Sequence, residues 1–279
     1  MEQILCFVSD LFFISRIDSA AARNGYEASY IESAAQLAQP GESRGPDRLG
    51  EALDGPEGAL IRQVAETRPG LLIFDLSASE IPWKRWIALL KTSAATRRIP
   101  ILAFGSHVDA DTMAAAHEAG ADRVLARSRF TSDLPGLLAA HFRTPDAEGI
   151  QSACLEPLSD RALAGIGLFN RGDYFEAHEV LEEAWNEDAG PGRELYRAIL
   201  QVAVAYLQIE RGNYRGAVKM FLRLRQWIGP LPDVCRGVDV AGLRQAAFHV
   251  EEELLRLGES GLGGLDRSLF LPVQFRSVD

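Results

Sequence analysis

Cysteine is scarce in this sequence: three among 279 residues, Cys6, Cys154 and Cys235. They stand far apart and form no Cys-x-x-Cys pair, a spacing that excludes a zinc knuckle and a disulfide scaffold. Long apolar runs are missing too. No segment stays apolar for the roughly 20 residues that a membrane helix needs. No basic segment followed by a long apolar run opens the chain. A soluble, cytoplasmic protein with no membrane partner is therefore expected. Positive charge is also short, with 29 Lys and Arg against 39 Asp and Glu and a net charge of -10. Both halves share the deficit: 15 basic to 18 acidic residues up to Pro145, and 14 to 21 after it. A general nucleic-acid binder needs a basic patch, and no basic DNA-reading helix is recognisable, so no nucleic-acid partner is expected.

What is present is a globular composition, 47% hydrophobic and 24% charged, long enough for two domains of ordinary size. The first half alternates short apolar runs with helical patterns. Strands are expected at 3–9, 26–31, 70–77, 99–106 and 122–128. Helices are expected at 11–24, 83–94, 109–119 and 131–142, with an irregular Gly/Pro-rich insertion near 39–57. This alternation predicts a flavodoxin-like, doubly wound parallel sheet covered on both faces. In such sheets chemistry collects at the C-terminal strand ends. Those ends carry Ser9 and Asp10, Asp75, Gly105 and Ser106, and Arg127.

These positions, with "LLIFDLS" around Asp75 and "AAAHEAGADRVLARSRF" at 114–130, resemble the receiver domain of bacterial response regulators over residues 1–142. The resemblance implies that Asp75 is the phosphoacceptor-like residue and that Asp10 and Arg127 flank it. It also implies a Mg2+ site at Asp10 and Asp75. The chain departs from the receiver pattern in several places. Ser9 stands where a second metal-binding acid belongs, and Gly105 where a hydroxyl belongs. Arg127 replaces a Lys, Ser128 a Pro, and Val124 the aromatic that reports the switched state. Arg is an imperfect substitute for Lys, because its planar fork is no compact point charge. Two readings follow: a working phosphotransfer site, or a structural ion-pair cluster in a degenerate pseudo-receiver.

Residues 143–158, with two prolines and polar residues, read as a linker. Helical patterns then run over 159–171, 173–187, 192–211, 214–228 and 239–257, giving an all-helical bundle at 159–258 and an arm at 259–279. Gly172, Gly190 and Gly212 sit at breaks, where glycine can adopt the left-handed cap. "RGDYFEAHEVLEEAW" from Arg171 and "RGNYRGAVKMFLRLRQW" from Arg211 align at an offset of 40, matching Gly172 with Gly212, Tyr174 with Tyr214 and Ala177 with Ala217. That is the grammar of tetratricopeptide-like helix pairs, though two units favour a compact bundle over a solenoid. The 192–211 helix is apolar nearly all round, which places it centrally or at a subunit interface.

The helix at 173–187 holds His178 and Glu182 at i,i+4, expected as a half-buried pair beside Trp185. Three readings stay open. Glu182 accepts a hydrogen bond from His178 and fixes the helix. Alternatively His178 and Glu182, with His249, hold a metal. In the third, His178 tuned by Glu182 serves acid–base catalysis without metal. The second His of a zincin is missing, so a protease is not implied. The residues Phe169, Asn170, Gly172, Ala177, His178, Glu179, Glu182, Trp185, Gln201, Gly212 and Asn213 resemble the bacterial helical family called domain of unknown function 309. That resemblance covers about 160–257, implies a helical bundle, and places Asn170, His178, Glu182, Trp185 and Gln201 in one pocket. Taken together, the sequence reads as a regulatory protein with a helical output or assembly unit, acting through a protein partner or as a homo-oligomer. An enzyme centred on His178 and Glu182, and a tetratricopeptide-like adaptor, are the alternatives.

Overall fold

The computed structural model describes residues 2–37 and 53–276. The chain divides into two compact units, Met1–Thr144 and Pro145–Asp279. Most of the insertion expected near 39–57 lies outside the described residues.

The first unit is built on β1 (Glu2–Phe7), β2 (Tyr26–Tyr30), β3 (Leu71–Asp75), β4 (Ile101–Gly105) and β5 (Arg123–Ala126). All pairings are parallel and the order is β2-β1-β3-β4-β5. This is the flavodoxin-like order, in which the chain reverses direction across the sheet between β1 and β3. Every residue of β3 and β4 is buried, the signature of a sheet covered on both faces. On one face, α1 (Leu11–Arg23) seats Phe13 and Ile17 in a core with Ile73, Phe104 and Phe130. On the other, Phe7 stacks on Phe74 at 4.1 Å and meets Trp86 of α3 (Trp83–Thr92) edge-on at 5.5 Å. The remaining helices of the unit are α2 (Gly55–Thr67), α4 (Ala110–Glu118), α5 (Arg127–Ser132) and α6 (Leu134–His141).

Two differences from the sequence reading concern this unit. α2 was not expected, although Pro56 sits in its first turn beside Glu57, where a proline and an acid both suit a helix start. The final helix arrives in two pieces, and the last strand stops at Ala126, so Arg127 opens a helix instead of ending a strand.

The second unit is helical: α7 (Ala147–Ala153), α8 (Asp160–Arg171), α9 (Tyr174–Glu187), α10 (Glu194–Glu210), α11 (Tyr214–Ile228) and α12 (Val240–Gly261). A two-residue hairpin, β6 (Val234–Cys235) and β7 (Val238–Asp239), precedes α12. α10 is the central helix, packed on α9 and α11, with Leu195, Ile199, Val202 and Tyr206 at 0% exposure. Gly172 and Gly212 adopt φ of 86° and 72°, the left-handed region open to glycine, and each breaks one helix before the next. Ala177 and Ala217 follow five residues later, both fully buried, so the 40-residue echo is repeated in structure. Gly190 differs. Its φ is -79°, and α9 is instead ended by Asp188 in an extended conformation.

The segment expected as a linker contains α7, and Cys154 just after it forms a disulfide with Cys235 across 81 residues. The cysteine spacing excluded a disulfide scaffold and gave no sign of this single bond. Such bonds persist in oxidising compartments and open in reducing ones. The disulfide and the expected cytoplasmic location pull in opposite directions. No helix among the described residues is long and apolar enough to cross a membrane.

Candidate functional site

Asp75 ends β3 and is 2% exposed. Its Oδ1 accepts the Ser77 N–H at 2.9 Å and lies 3.8 Å from Arg127 Nη2. Burial pushes its carboxyl above the usual range; the Ser77 amide and the Arg127 charge pull the other way without prevailing, and Asp10 adds a like-charge push. Arg127 leans over the Phe13 ring at 5.6 Å, and its Nε is buried without a partner among the described residues. Asp10 is exposed and spends one carboxylate oxygen capping α1, accepting the Phe12 N–H at 2.9 Å. Ser9 beside it supplies no second acid.

The end of β4 is flanked by apolar side chains. A side chain at Gly105 would meet Leu76 at 3.2 Å and the Met113 sulfur at 3.4 Å. The next residue, Ser106, turns its hydroxyl to its own loop, 3.4 Å from the Val108 N–H. Asp10, Asp75 and Arg127 are thus gathered at one strand end, but Asp75 is covered and Asp10 has a capping task.

In the helical unit the expected constellation separates. α9 buries Tyr174, Ala177, Leu181 and Ala184. At about 100° per residue, Glu182 falls about 120° from the centre of that stripe, and it is exposed. His178 lies at the edge, partly buried, and no hydrogen bond or ion pair joins it to Glu182. His249 is on the surface of α12, 3.9 Å from Glu252. Among the described residues no group of three His, Cys, Asp or Glu is placed to hold a metal ion.

The other pocket residues have partners elsewhere. Asn170 binds the backbone of Val273 through both ends of its amide, at 3.0 and 2.7 Å. Gln201 is 4% exposed and directs Nε2 at the Met220 sulfur, 2.7 Å away. Trp185 lies under two cations, Arg193 at 4.9 Å and Arg197 at 4.4 Å, and Arg197 is also 3.8 Å from the Trp227 ring. Tyr174 is pushed up to about 12 by burial and by the Glu210 charge, so it stays protonated at neutral pH.

Residues 162–220 match the family model described as "Domain of unknown function (DUF309)". That stretch runs from α8 into α11. Two curated relatives match parts of the chain: an uncharacterized protein of Aquifex aeolicus, 29% identical over 80 residues, 27% of this chain and 23% of that protein, and the uncharacterized protein YpuF of Bacillus subtilis, 45% identical over 49 residues, 17% of this chain and 28% of that protein. The matched part therefore spans about a quarter of each relative's length. Solved structures similar to half of this chain include the phosphorylated cyanobacterial phytochrome response regulator RcpA, at 15% identity and TM-score 0.38, covering 50% of this chain and 93% of that one. Another is the receiver domain of the sensor histidine kinase PA1611 from Pseudomonas aeruginosa, at 14% identity and TM-score 0.38, covering 50% and 96%.

Outside the DUF309 match lies a residue that the sequence reading missed. Arg236, 7% exposed and with φ of 53°, directs Nη1 to Asp188 Oδ2 at 2.6 Å and to the Tyr196 hydroxyl. Its Nε donates to the Ala153 carbonyl at 3.2 Å, and Nη2 to Glu156 at 3.2 Å. Burial opposes its charge, but Asp188 and Tyr196 outweigh that and hold the guanidinium charged. With the adjacent disulfide it ties α7, the end of α9 and α10 together. Nothing in local sequence marked it, because an arginine beside a glycine reads as a turn.

Proposed function

We propose that the chain is a regulatory protein whose first unit is a pseudo-receiver and whose helical unit is the output or assembly surface. The observation that carries this is Asp75: it stands where a receiver keeps its phosphoacceptor, yet it is buried and faces Arg127 at 3.8 Å. Phosphoryl transfer to a carboxylate needs an ionised, reachable oxygen and a divalent cation to neutralise the transferred group. Desolvation disfavours the ionised form, and Ser9 leaves Asp10 as the lone acid beside it. Gly105, flanked by Leu76 and Met113, supplies no hydroxyl at the end of β4.

On this reading the first unit keeps the receiver's shape for docking and lacks its chemistry. The helical unit acts through protein contacts, with a protein partner or a second copy as the counterpart. An enzyme centred on His178 and Glu182 is not favoured, since Glu182 is exposed and unpaired with the imidazole. The test is intact-mass analysis of the full chain after incubation with acetyl phosphate and Mg2+. An unmodified mass is expected, and an adduct that Asp75→Asn removes would overturn the reading.

A further inference from the structure

The segment after α12 is held to the helical unit by three kinds of contact. Phe270 stacks on Tyr206, with ring centroids 4.1 Å apart and planes 5° from parallel. Asn170 takes both backbone polar groups of Val273: its Nδ2 donates to the carbonyl, and its Oδ1 accepts the N–H. Further on, the segment runs antiparallel to β7. The Asp239 N–H donates to Gln274 O and the Arg276 N–H to Gly237 O, both at 2.9 Å. Two ion pairs bracket these contacts, Arg267 to Glu210 at 4.0 Å and Arg276 to Asp239 at 3.1 Å.

This combination is how proteins seat extended peptides. Pairing with a sheet edge supplies affinity, and seats for selected side chains supply selectivity. An amide that binds both groups of one residue reads backbone, whatever the side chain. Val273 is 2% exposed and Phe270 is stacked, so both are held, whereas Leu271 at 53% and Phe275 at 52% face solvent. The floor of the groove is imperfectly satisfied. Tyr206 is fully buried, and its hydroxyl has no partner among the described residues. A buried unpaired hydroxyl weakens the closed arrangement. Gly258, with φ of 67°, interrupts α12 ahead of the segment and supplies a point at which it can swing.

We propose that this groove is a peptide-binding site occupied in cis by residues 267–276. Its ligand in trans is an extended segment flanked by basic residues, with an aromatic residue three positions before an aliphatic one. The tethered segment competes at high effective concentration, so the closed chain masks the site. The apparent affinity for a trans ligand falls with the open fraction. Glu210 and Asp239 at the two ends select for the basic flanks.

The probe is a fluorescein-labelled peptide with the sequence of residues 266–276, followed by anisotropy against the full chain. Releasing the segment with Phe270→Ala and Val273→Ala together should tighten peptide binding at least tenfold over the unaltered chain. Adding Asn170→Ala should abolish that gain, and a peptide with Glu at both Arg positions should bind at least tenfold more weakly. A folded, released variant that does not bind, or binding indifferent to Asn170→Ala and to charge reversal, would overturn the proposal. Should the released variant not fold, hydrogen exchange on the unaltered chain decides. The Val273 and Asp239 amides are expected to exchange well before those of α10. Exchange of both only together with α10 would make the segment a fixed part of the bundle and end the proposal.

Discussion

Arg236 reaches Asp188 at 2.6 Å across 48 residues of chain, from a backbone conformation that L-residues rarely adopt. The same guanidinium meets the Ala153 carbonyl beside the Cys154–Cys235 disulfide. These bonds join Asp188 and Tyr196, inside the DUF309 match, to Ala153 and Arg236, which flank it on either side. Removing one partner of a buried ion pair leaves the other desolvated and costs about 3–5 kcal/mol. Asp188 keeps some solvent, so Arg236→Ala is expected at the lower end, about 3 kcal/mol. Arg236→Gly relieves a left-handed cost of about 1 kcal/mol and should still be destabilised. Urea unfolding measures both, and a loss below about 1 kcal/mol in either would contradict the assignment.

Reduction of the disulfide acts on the same region. Closing a loop of 81 residues restricts the unfolded chain by about 4.5 kcal/mol on the chain-entropy account. Unfolding with and without a reductant should differ by about 2–5 kcal/mol. The reduced chain should also be more sensitive to Arg236→Ala, because the two features are adjacent and therefore coupled. Identical curves under both conditions would show that the bond does not form.

Gly165→Ala gives a prediction of opposite sign to intrinsic propensity. Alanine favours a helix interior over glycine by about 1 kcal/mol. Here an added Cβ would stand 2.7 Å from Leu181 Cγ, and Leu181 is fully buried. Overpacking of that kind costs about 1–3 kcal/mol, so the substitution should lower Tm. A higher Tm would mean that α8 and α9 are not this close.

Asp75→Asn has a defined pH dependence. Burial raises the folded carboxyl pKa above its unfolded value. The folded state then holds the proton more tightly, and stability falls as pH rises from the unfolded pKa through the folded one. Asparagine carries no such charge. The variant should therefore be more stable than the unaltered chain at neutral pH, with the advantage fading as pH falls below the ordinary carboxylate pKa. Thermal melts across that range check it, and a variant less stable at neutral pH would show that the Arg127 pairing outweighs desolvation.

His178 is the simplest case. It is partly buried and unbonded to Glu182, so His178→Ala should change stability by less than about 1 kcal/mol. Metal analysis of the purified chain should find no stoichiometric metal that this substitution removes. Metal lost with His178 would restore the enzyme reading.

Much of the fold was legible because it rests on periodicity. The continuous apolar runs at Leu71–Phe74 and Ile101–Phe104 could be little else than buried parallel strands, and the Gly172 and Gly212 breaks carried their own conformational reason. α2 was missed because Gly55 and Pro56 read as loop residues, whereas Pro56 opens the helix. The pairs that depend on distant sequence were not legible. Nothing near Cys154 names Cys235, nothing near Asn170 names Val273, and nothing near Arg236 names Asp188. The His178–Glu182 pair erred differently. Its spacing was right, but spacing alone ignores which way the stripe of Ala177 and Leu181 turns the helix, and that rotation puts Glu182 in water.

The measurement that bears most directly on the pseudo-receiver is phosphoryl labelling at Asp75. The full chain is incubated with acetyl phosphate and Mg2+ beside Asp75→Asn and beside a variant carrying Ser9→Asp with Arg127→Lys, which supplies the missing acid and the compact cation. The account predicts no adduct on the unaltered chain or on Asp75→Asn. Stoichiometric labelling of the unaltered chain, lost in Asp75→Asn, would contradict it and make the first unit a working receiver.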